Sequence, residues 1–310
     1  MSSHNQRMEY GRMLVELGAE KPDIVVLEAD LGKSTMSCLF EEKYPERYFE
    51  MGIAEQNMTS FAGGLALAGK LPFVNTFAVF AAGRAYDQIR QGIATAGLHV
   101  IIVGSSSGLS DFGDGATHQA IDDAAIMCAI PNLTVFTPCD GIEVRKAVLA
   151  AVNTAGPCYI RLCRNDLDDI FPEDIEYAIG KPVELRSGTD AVIFTQGIMA
   201  HQALKTAQMA EIDGVSVAVV HIPTLKPLDE AAVRGLTKGK KAVIVCEEAN
   251  LKGGLNMLIS YILRGSSLPI GSIAINDVFG QSAGSYEELI HYYGLDEGTI
   301  YEKLKETLNK

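Results

Sequence analysis

The sequence predicts an α/β fold of two domains, each a mostly parallel sheet with helices on both faces. Three observations carry that prediction. Short β-branched runs alternate with helical patterns along the whole chain, as expected of strands joined by crossover helices. Most of those runs are apolar almost throughout, as strands buried on both faces are. The chain has 310 residues, 47% of them hydrophobic, enough to bury a large core in about two units.

Taken in order, candidate strands occupy residues 23–29, 72–75, 99–104, 133–138, 158–162, 191–195, 215–222, 241–248 and 270–276. Helical patterns at 84–96, 117–129, 141–152 and 200–211 separate them, and the tail LDEGTIYEKLKETLNK reads as a surface helix. Its 30 glycines suit many strand-to-helix turns. Ligands of parallel sheets sit beyond the carboxyl ends of the strands. The loops after Ala29, Asn75, Gly104 and Leu162 are therefore where a site is expected. Residues 166–187 are acidic, hold two prolines and lack clear periodicity, which marks a linker. The expected division is a first domain over 1–165, a linker over 166–187 and a second domain over 188–310.

Charge and composition exclude several classes. Lys+Arg is 26 and Asp+Glu is 39, a net charge of −13. Such a surface repels nucleic acid and acidic membranes, and no basic stripe interrupts it. No apolar run approaches the ~18 residues of a membrane span, and residues 1–12 lack the apolar core of a secretion signal. The six cysteines form no CxxC pair and no metal-ligand spacing, so reduced thiols in a cytoplasmic protein, and no metal held by this chain, are expected.

The stretch FEMGIAEQNM at 49–58 stands out. It sets one acid, Glu55, at the start of an apolar helix in which Met58, Phe61, Leu65 and Ala68 recur at helical spacing and predict a buried face. Glu55 falls on nearly that face. Either it is a solvated acid favoured by the helix dipole, or it hydrogen-bonds something buried. The next loop, NTFAVFAAGRAYDQIR, places Phe77 and Phe80 three apart at a strand end. They are either core rings or flat surfaces for stacking on a planar ligand. The segment SSSGLSDFGDGATHQAIDD is polar and glycine-rich, then helical, as a site loop would be. Its Asp114 and His118 are either turn and helix-start residues or polar ligand contacts.

These segments together resemble the transketolase family of thiamine-diphosphate enzymes. GIAEQNM is similar to the motif that carries the family's catalytic glutamate. KYPERYFEMGIAEQNMTSFAGGLALAGKLPFVNTFAVFAAGRAYDQIR, DGATHQAIDDAAIMCAIPNLTVFTPCDG, HIPTLKPLDE and EEANLKGGL follow in the family's order. The likeness runs from roughly Arg7 to the C-terminus. It covers the C-terminal half of a transketolase and nothing of the N-terminal half, the pattern of the C-terminal, cofactor-sharing subunit of a split transketolase. The resemblance implies a pyrimidine-binding domain followed by a transketolase C-terminal domain.

The resemblance also implies roles. Glu55 would be the catalytic acid that touches a ring nitrogen of the aminopyrimidine and favours the imino form able to take the thiazolium proton. Burial raises a carboxyl's pKa toward that task, and a charge-assisted hydrogen bond of this kind is worth roughly 1.5–3 kcal/mol. Phe77, Phe80 and Asp30 would line the cofactor pocket. A tyrosine is often found three residues beyond the second Phe; Gly83 stands there in this chain. Asp114 and His118 would bind sugar hydroxyls, His118 also serving catalysis. Arg164, its neighbour Arg161, Arg7 and Ser34 would meet the substrate's anionic group, since a guanidinium fork suits phosphate or sulfonate oxygens. Many transketolases carry a histidine earlier in the sugar loop, where residues 105–107 are all serine here. The anion site is therefore altered, which leaves room for a sulfo-sugar or a branched sugar phosphate.

The family holds the cofactor's diphosphate through Mg²⁺, on Gly-Asp-Gly followed further along by Asn. The Gly-Asp-Gly at 113–115 belongs instead to the sugar loop. No Asn falls near Gly141 where one is needed, and Asn132 comes too soon. Mg²⁺ needs a near-octahedral oxygen cage, which this chain does not provide. The expected function is that of a split-transketolase chain that transfers a two-carbon ketol unit from a ketose to an aldose. It would share thiamine diphosphate with an N-terminal transketolase subunit that holds Mg²⁺ and the diphosphate, in a heterotetramer of two of each. A β subunit of a 2-oxoacid dehydrogenase shares the fold but should lack the sugar loop. Deoxyxylulose-phosphate synthase has the loop, but with both halves in one chain. A non-catalytic derivative is opposed by Glu55, Asp114 and His118.

Overall fold

The computed structural model describes residues 4–310. Its first half runs α1 (Gln6–Glu20), β1 (Ile24–Glu28), α2 (Gly32–Thr35), α3 (Cys38–Lys43), β2 (Tyr48–Glu50), α4 (Glu55–Leu67), β3 (Leu71–Phe77), two π-helical segments (Phe80–Arg84 and Gln88–Ala94), β4 (Ile101–Ser105), α5 (Asp123–Cys128), β5 (Thr134–Phe136), α6 (Gly141–Val152) and β6 (Cys158–Arg161). The second half runs β7 (Val183–Arg186), β8 (Ala191–Thr195), α7 (Met199–Ile212), β9 (Val217–His221), β10 (Thr224–Lys226), α8 (Glu230–Leu236), β11 (Ala242–Asn250), α9 (Leu255–Ile262), β12 (Ile270–Ile275), α10 (Tyr286–Tyr292) and α11 (Glu297–Leu308).

Among the described residues, these strands form a seven-stranded sheet, order β10-β5-β6-β4-β3-β1-β2, and a five-stranded sheet, order β12-β11-β8-β9-β7. Every pairing is parallel except β10 on β5 and β7 on β9. The near-continuous apolar runs have the cause expected of them. Along β1, Ile24 and Val26 join Tyr10, Leu14, Leu17 and Phe40 on one face, while Val25 and Leu27 join Met58, Ala62 and Ile89 on the other. Side chains alternate across a strand, so a strand covered on both faces needs apolar residues at every position. Full burial of one such side chain contributes about 1.5–3 kcal/mol.

All nine expected strands are present. The three others, β2, β7 and β10, are edge strands of three or four residues, too short for a pattern to register. Two of them change the expected domain division. β7 lies inside the stretch read as a linker, so the second sheet's material begins by residue 183. β10 belongs in sequence to the second half, yet it extends the first sheet antiparallel to β5. The core is likewise shared: Val220, Ile222, Leu225 and Val245 cluster with Ile130, Leu133 and Val135. Across the same seam the buried His221 places Nε2 2.9 Å from the carboxylate of the buried Glu143.

Two helical expectations also shift. The pattern at 84–96 is wound as π-helical segments, and the helix expected from 117 begins only at Asp123. The face of α4 turns by about one position. It buries Glu55, Met58, Thr59, Ala62 and Gly63, while Phe61 is 44% exposed and packs edge-on against Phe49. Small residues at 62 and 63 allow that close approach; Gly63 lies against the backbone carbonyl of Gly92.

Candidate active site

The carboxyl ends of β1, β3, β4 and β6 point to one rim of the first sheet, and the predicted site residues other than Arg161 lie towards it. α4 starts at this rim with no side chain capping its first turn, and Glu55 is its first residue. Glu55 is 2% exposed. Its Oε1 lies 3.5 Å from Arg84 Nη1, and its Oε2 is buried with no hydrogen-bond partner. A buried carboxylate oxygen without a donor is costly, so of the two readings of this acid the solvated one is excluded. Arg84 reaches Oε1 alone and leaves Oε2 without a hydrogen bond.

Beside it the rings of Phe77 and Phe80 lie nearly parallel, 13° apart with centroids 6.1 Å apart. The Arg84 guanidinium sits 5.0 Å from the Phe80 centroid, a cation–π geometry. His118 stands edge-on to both rings, at 5.3 Å from Phe80 and 6.1 Å from Phe77, with its Nδ1 2.9 Å from Thr117 Oγ1. Glu55, Arg84, Phe80, Phe77 and His118 thus make one continuous wall. Asp114 is exposed at the start of the short 3₁₀ turn that leads to His118. Arg84 was missed by the sequence reading, although it stands in the quoted Phe77–Phe80 loop.

A second group forms the cationic end. Arg7, in the first turn of α1, donates from Nη1 to the Ser34 carbonyl at 2.7 Å, and its Nε is buried without a partner. Burial and then the charge of Arg164 hold the Arg7 pKa below its ordinary value, so the two guanidinium groups repel each other. Arg164 donates from Nη1 to Asp111 Oδ2 at 2.9 Å and stays 39% exposed on its side chain. Asp111, buried on the sugar-type loop, is a further residue that spacing did not reveal. Under the Ser34 turn, the buried Glu28 accepts from the hydroxyls of Thr35 and Ser37, both at 2.6 Å, and from Ala29 N at 2.9 Å. Asp30 is exposed just after β1 with φ +62°, its amide donating to Glu50 Oε1 at 2.9 Å.

Arg161 is a correction. It is buried, its Nε bonds the Asp123 carboxylate at 3.0–3.1 Å, and its Nη2 bonds the carbonyls of Ala120 and Glu248 at 3.2 and 2.9 Å. Its bond to the Glu248 carbonyl of β11 places it at the seam between the sheets, whereas Arg164 lies beyond the end of β6 and pairs with Asp111. At the end of β4 the serines 105 and 106 are buried, and neither hydroxyl has a partner. Among the described residues, Cys139, Glu143 and His221 have ligand-type atoms close together, but they lie buried at the seam, where Glu143 already accepts from His221 Nε2 and Cys139 N.

Comparison with known proteins decides what this rim belongs to. The transketolase pyrimidine-binding domain matches residues 3–169 and the transketolase C-terminal domain matches residues 180–300. The chain belongs to the transketolase family. It is 38% identical to a protein described as a transketolase C-terminal section in Methanocaldococcus jannaschii, over 98% of this chain and 96% of that one. It is 34% identical to the 6-deoxy-6-sulfo-D-fructose transketolase subunit of a Clostridium species, over 100% and 96% of the two chains. A solved chain described as a split gene transketolase, inactive beta4 tetramer, superposes with a TM-score of 0.90 at 38% identity, covering 99% of each. The transketolase resemblance read from GIAEQNM and the later segments is therefore correct, and membership gives the chain a transferase role. Its first domain is the pyrimidine-binding domain of thiamine-diphosphate enzymes. No helix of the described residues is long and apolar enough to cross a membrane.

Proposed function

We propose that this transketolase-family chain is the C-terminal subunit of a split transketolase, which moves a two-carbon ketol unit between anionic sugars when joined by a separate diphosphate-binding subunit. The observation that carries the reading is Glu55 Oε2, a buried carboxylate oxygen with no partner, beside the paired rings of Phe77 and Phe80. These residues fit the aminopyrimidine end of thiamine diphosphate: an acid for a ring nitrogen and flat apolar surfaces for the ring. When bound, the cofactor supplies the nucleophilic carbon that takes up and hands on the ketol unit.

The chain's own residues do the rest. Glu55 Oε2 holds or shares a proton with the pyrimidine nitrogen, and Arg84 steadies the other carboxylate oxygen. Asp30 stands on the cofactor rim. His118 and Asp114 bind and orient sugar hydroxyls, and His118 can relay a proton at its ring nitrogens. Arg7, Arg164 and the Ser34 turn hold the anionic group; two close guanidinium groups gain a shared counterion when phosphate or sulfonate enters. Arg161 is no longer part of that set. Mg²⁺ is assigned to the partner subunit, on the ground that the sequence lacks the Gly-Asp-Gly and Asn spacing that the family uses for it.

A partner is supported from two sides. Ile53, two residues before Glu55, and Leu67, at the far end of α4, are each 76% exposed, apolar side chains of the kind that mark an interaction site. The split-gene relative is described as an inactive beta4 tetramer. A heterotetramer of two of each subunit follows from the symmetry that such enzymes adopt, and the six free thiols suit a cytoplasmic setting. The sulfofructose subunit among the relatives favours a sulfo-sugar as a second reading of the substrate.

The test mixes this chain with a separately purified diphosphate-binding subunit, Mg²⁺ and thiamine diphosphate, over a panel of phosphorylated and sulfonated sugars. Ketol transfer by the mixture, and by neither chain alone, is expected. Tight retention of cofactor and Mg²⁺ with turnover by the isolated chain would overturn the proposal.

A further inference from the structure

The loop that carries Asp114 and His118 leaves β4 after Ser105 and returns at Ala120. A single 3₁₀ turn, Gly115–Thr117, is its regular structure, so its shape must be set from outside. Its neck closes through Gly108 N to Ala120 O at 2.9 Å and Ser107 N to Leu162 O at 3.0 Å. The second domain then holds the neck. Glu248, buried on β11, accepts from Leu109 N at 2.9 Å and from Tyr286 Oη of α10 at 2.9 Å, both on Oε1. Gly108 has φ +62°, and a Cβ there would run into the Glu248 carboxyl. Asn250 N donates to Ile121 O at 2.7 Å. The tip is held as well: Ala283 N donates to Phe112 O at 2.9 Å, and Gln119 Nε2 to Gln281 O at 2.9 Å. Between neck and tip, Asp111 carries the ion pair to Arg164.

We propose that Glu248 is a positioning residue for the substrate site. By holding Leu109 and filling the space beside Gly108, it fixes the loop so that Asp114, His118 and the Asp111–Arg164 pair face the sugar. The second domain is then a working part of substrate recognition. The inference deepens the ketol-transfer reading and rests on it for the identity of the substrate, while the mechanical claim rests on the hydrogen bonds alone.

The test compares wild type with Glu248→Ala, Glu248→Gln and Tyr286→Phe. Hydrogen exchange on the chain alone reads the loop, and steady-state kinetics of the assembled two-subunit enzyme read the consequence. In Glu248→Ala, loss of the buried hydrogen bond to Leu109 N should speed exchange of amides in 107–120 about tenfold, with β1 and β4 protected as before. The KM for the sugar should rise about tenfold with kcat within about twofold, the pattern of lost uniform binding. Glu248→Gln keeps an oxygen for Leu109 N and should restore both. Unchanged exchange in 107–120 overturns the proposal, as does a loosened loop with an unchanged KM. If Glu248→Ala does not fold, Tyr286→Phe carries the same two readouts: a smaller rise in both supports the claim, and wild-type values sink it. Should the assembled wild-type protein show no ketol transfer, the function reading fails, and the exchange arm still decides the positioning claim.

Discussion

Glu55 combines burial, a helix N-terminus and an unpartnered Oε2, and each has a separate consequence. Glu55→Gln keeps the shape and removes the ionisable group. We expect a folded protein with an unchanged thermal midpoint, whose assembled enzyme turns over about two to four decades more slowly. Near-normal turnover would remove Glu55 from the chemistry. The buried acids also predict a pH effect. Burial pushes Glu28 up to about 7, against the hydroxyls of Ser37 and Thr35 that pull it down. Burial likewise holds Glu248 at about 7, against Arg161. Each folded value lies above the ordinary 4.5. Below that value both states are protonated and stability is complete. As pH rises toward 7 the unfolded chain has released a proton that the folded chain keeps, so stability falls, by at most about 1.4 kcal/mol per pH unit per group. Urea midpoints measured from pH 5 to pH 7.5 should fall less steeply for Glu28→Gln than for wild type. Equal slopes would contradict the assignment. Some of the residue-level placement was legible: Glu55, Phe77, Phe80, Asp114, His118, Arg7, Arg164 and Ser34 lie towards the same rim. Arg84 and Asp111 were not, because an ion pair is a meeting in space that spacing does not encode. Arg161 and Arg164 look alike in one short segment, but Arg161 ends β6 and is held by the buried Asp123, whereas Arg164 lies past the strand beside Asp111, a difference that spacing does not encode.

At the scale of elements, the long apolar strands were readable because burial on both faces leaves a continuous apolar signal. The edge strands β2, β7 and β10 were not, since each has few residues and one unpaired side. The face of α4 was set wrongly by reading Phe61 as core. The spacing of the apolar residues drew the assignment, whereas the helix packs through Ala62 and Gly63, whose smallness lets the π-helical segment come close. The neck of the loop after β4 gives the sharpest element-level expectation. Gly108 needs both a positive φ and the absence of a side chain. Gly108→Ala should therefore cost about 1–3 kcal/mol, read as a lower urea midpoint. A neutral substitution would show that the neck adjusts freely.

For the whole molecule, the two sheets are not independent bodies. They share one apolar core, the His221–Glu143 pair crosses between them, and β10 closes the edge of the first sheet from the second half of the chain. A chain ended after residue 179 would expose Ile130, Leu133 and Val135 and leave β5 unpaired on that side. We expect it to bind a hydrophobic dye and to lack a cooperative thermal transition. A sharp transition with a native-like near-UV spectrum would show the first domain to be autonomous. The two-domain α/β layout was plain from sequence, but this interlocking was hidden, because a three-residue strand says nothing about which sheet it will join.

The strand Thr224–Lys226 has a consequence for inheritance and for engineering. A crossover between related genes anywhere from residue 162 to residue 223 would pass on the ligand-bearing unit with a border supplied by a stranger's sequence. Viable chimaeras should therefore exchange both units as a single cassette, or carry Thr224, Leu225 and Lys226 along as a graft.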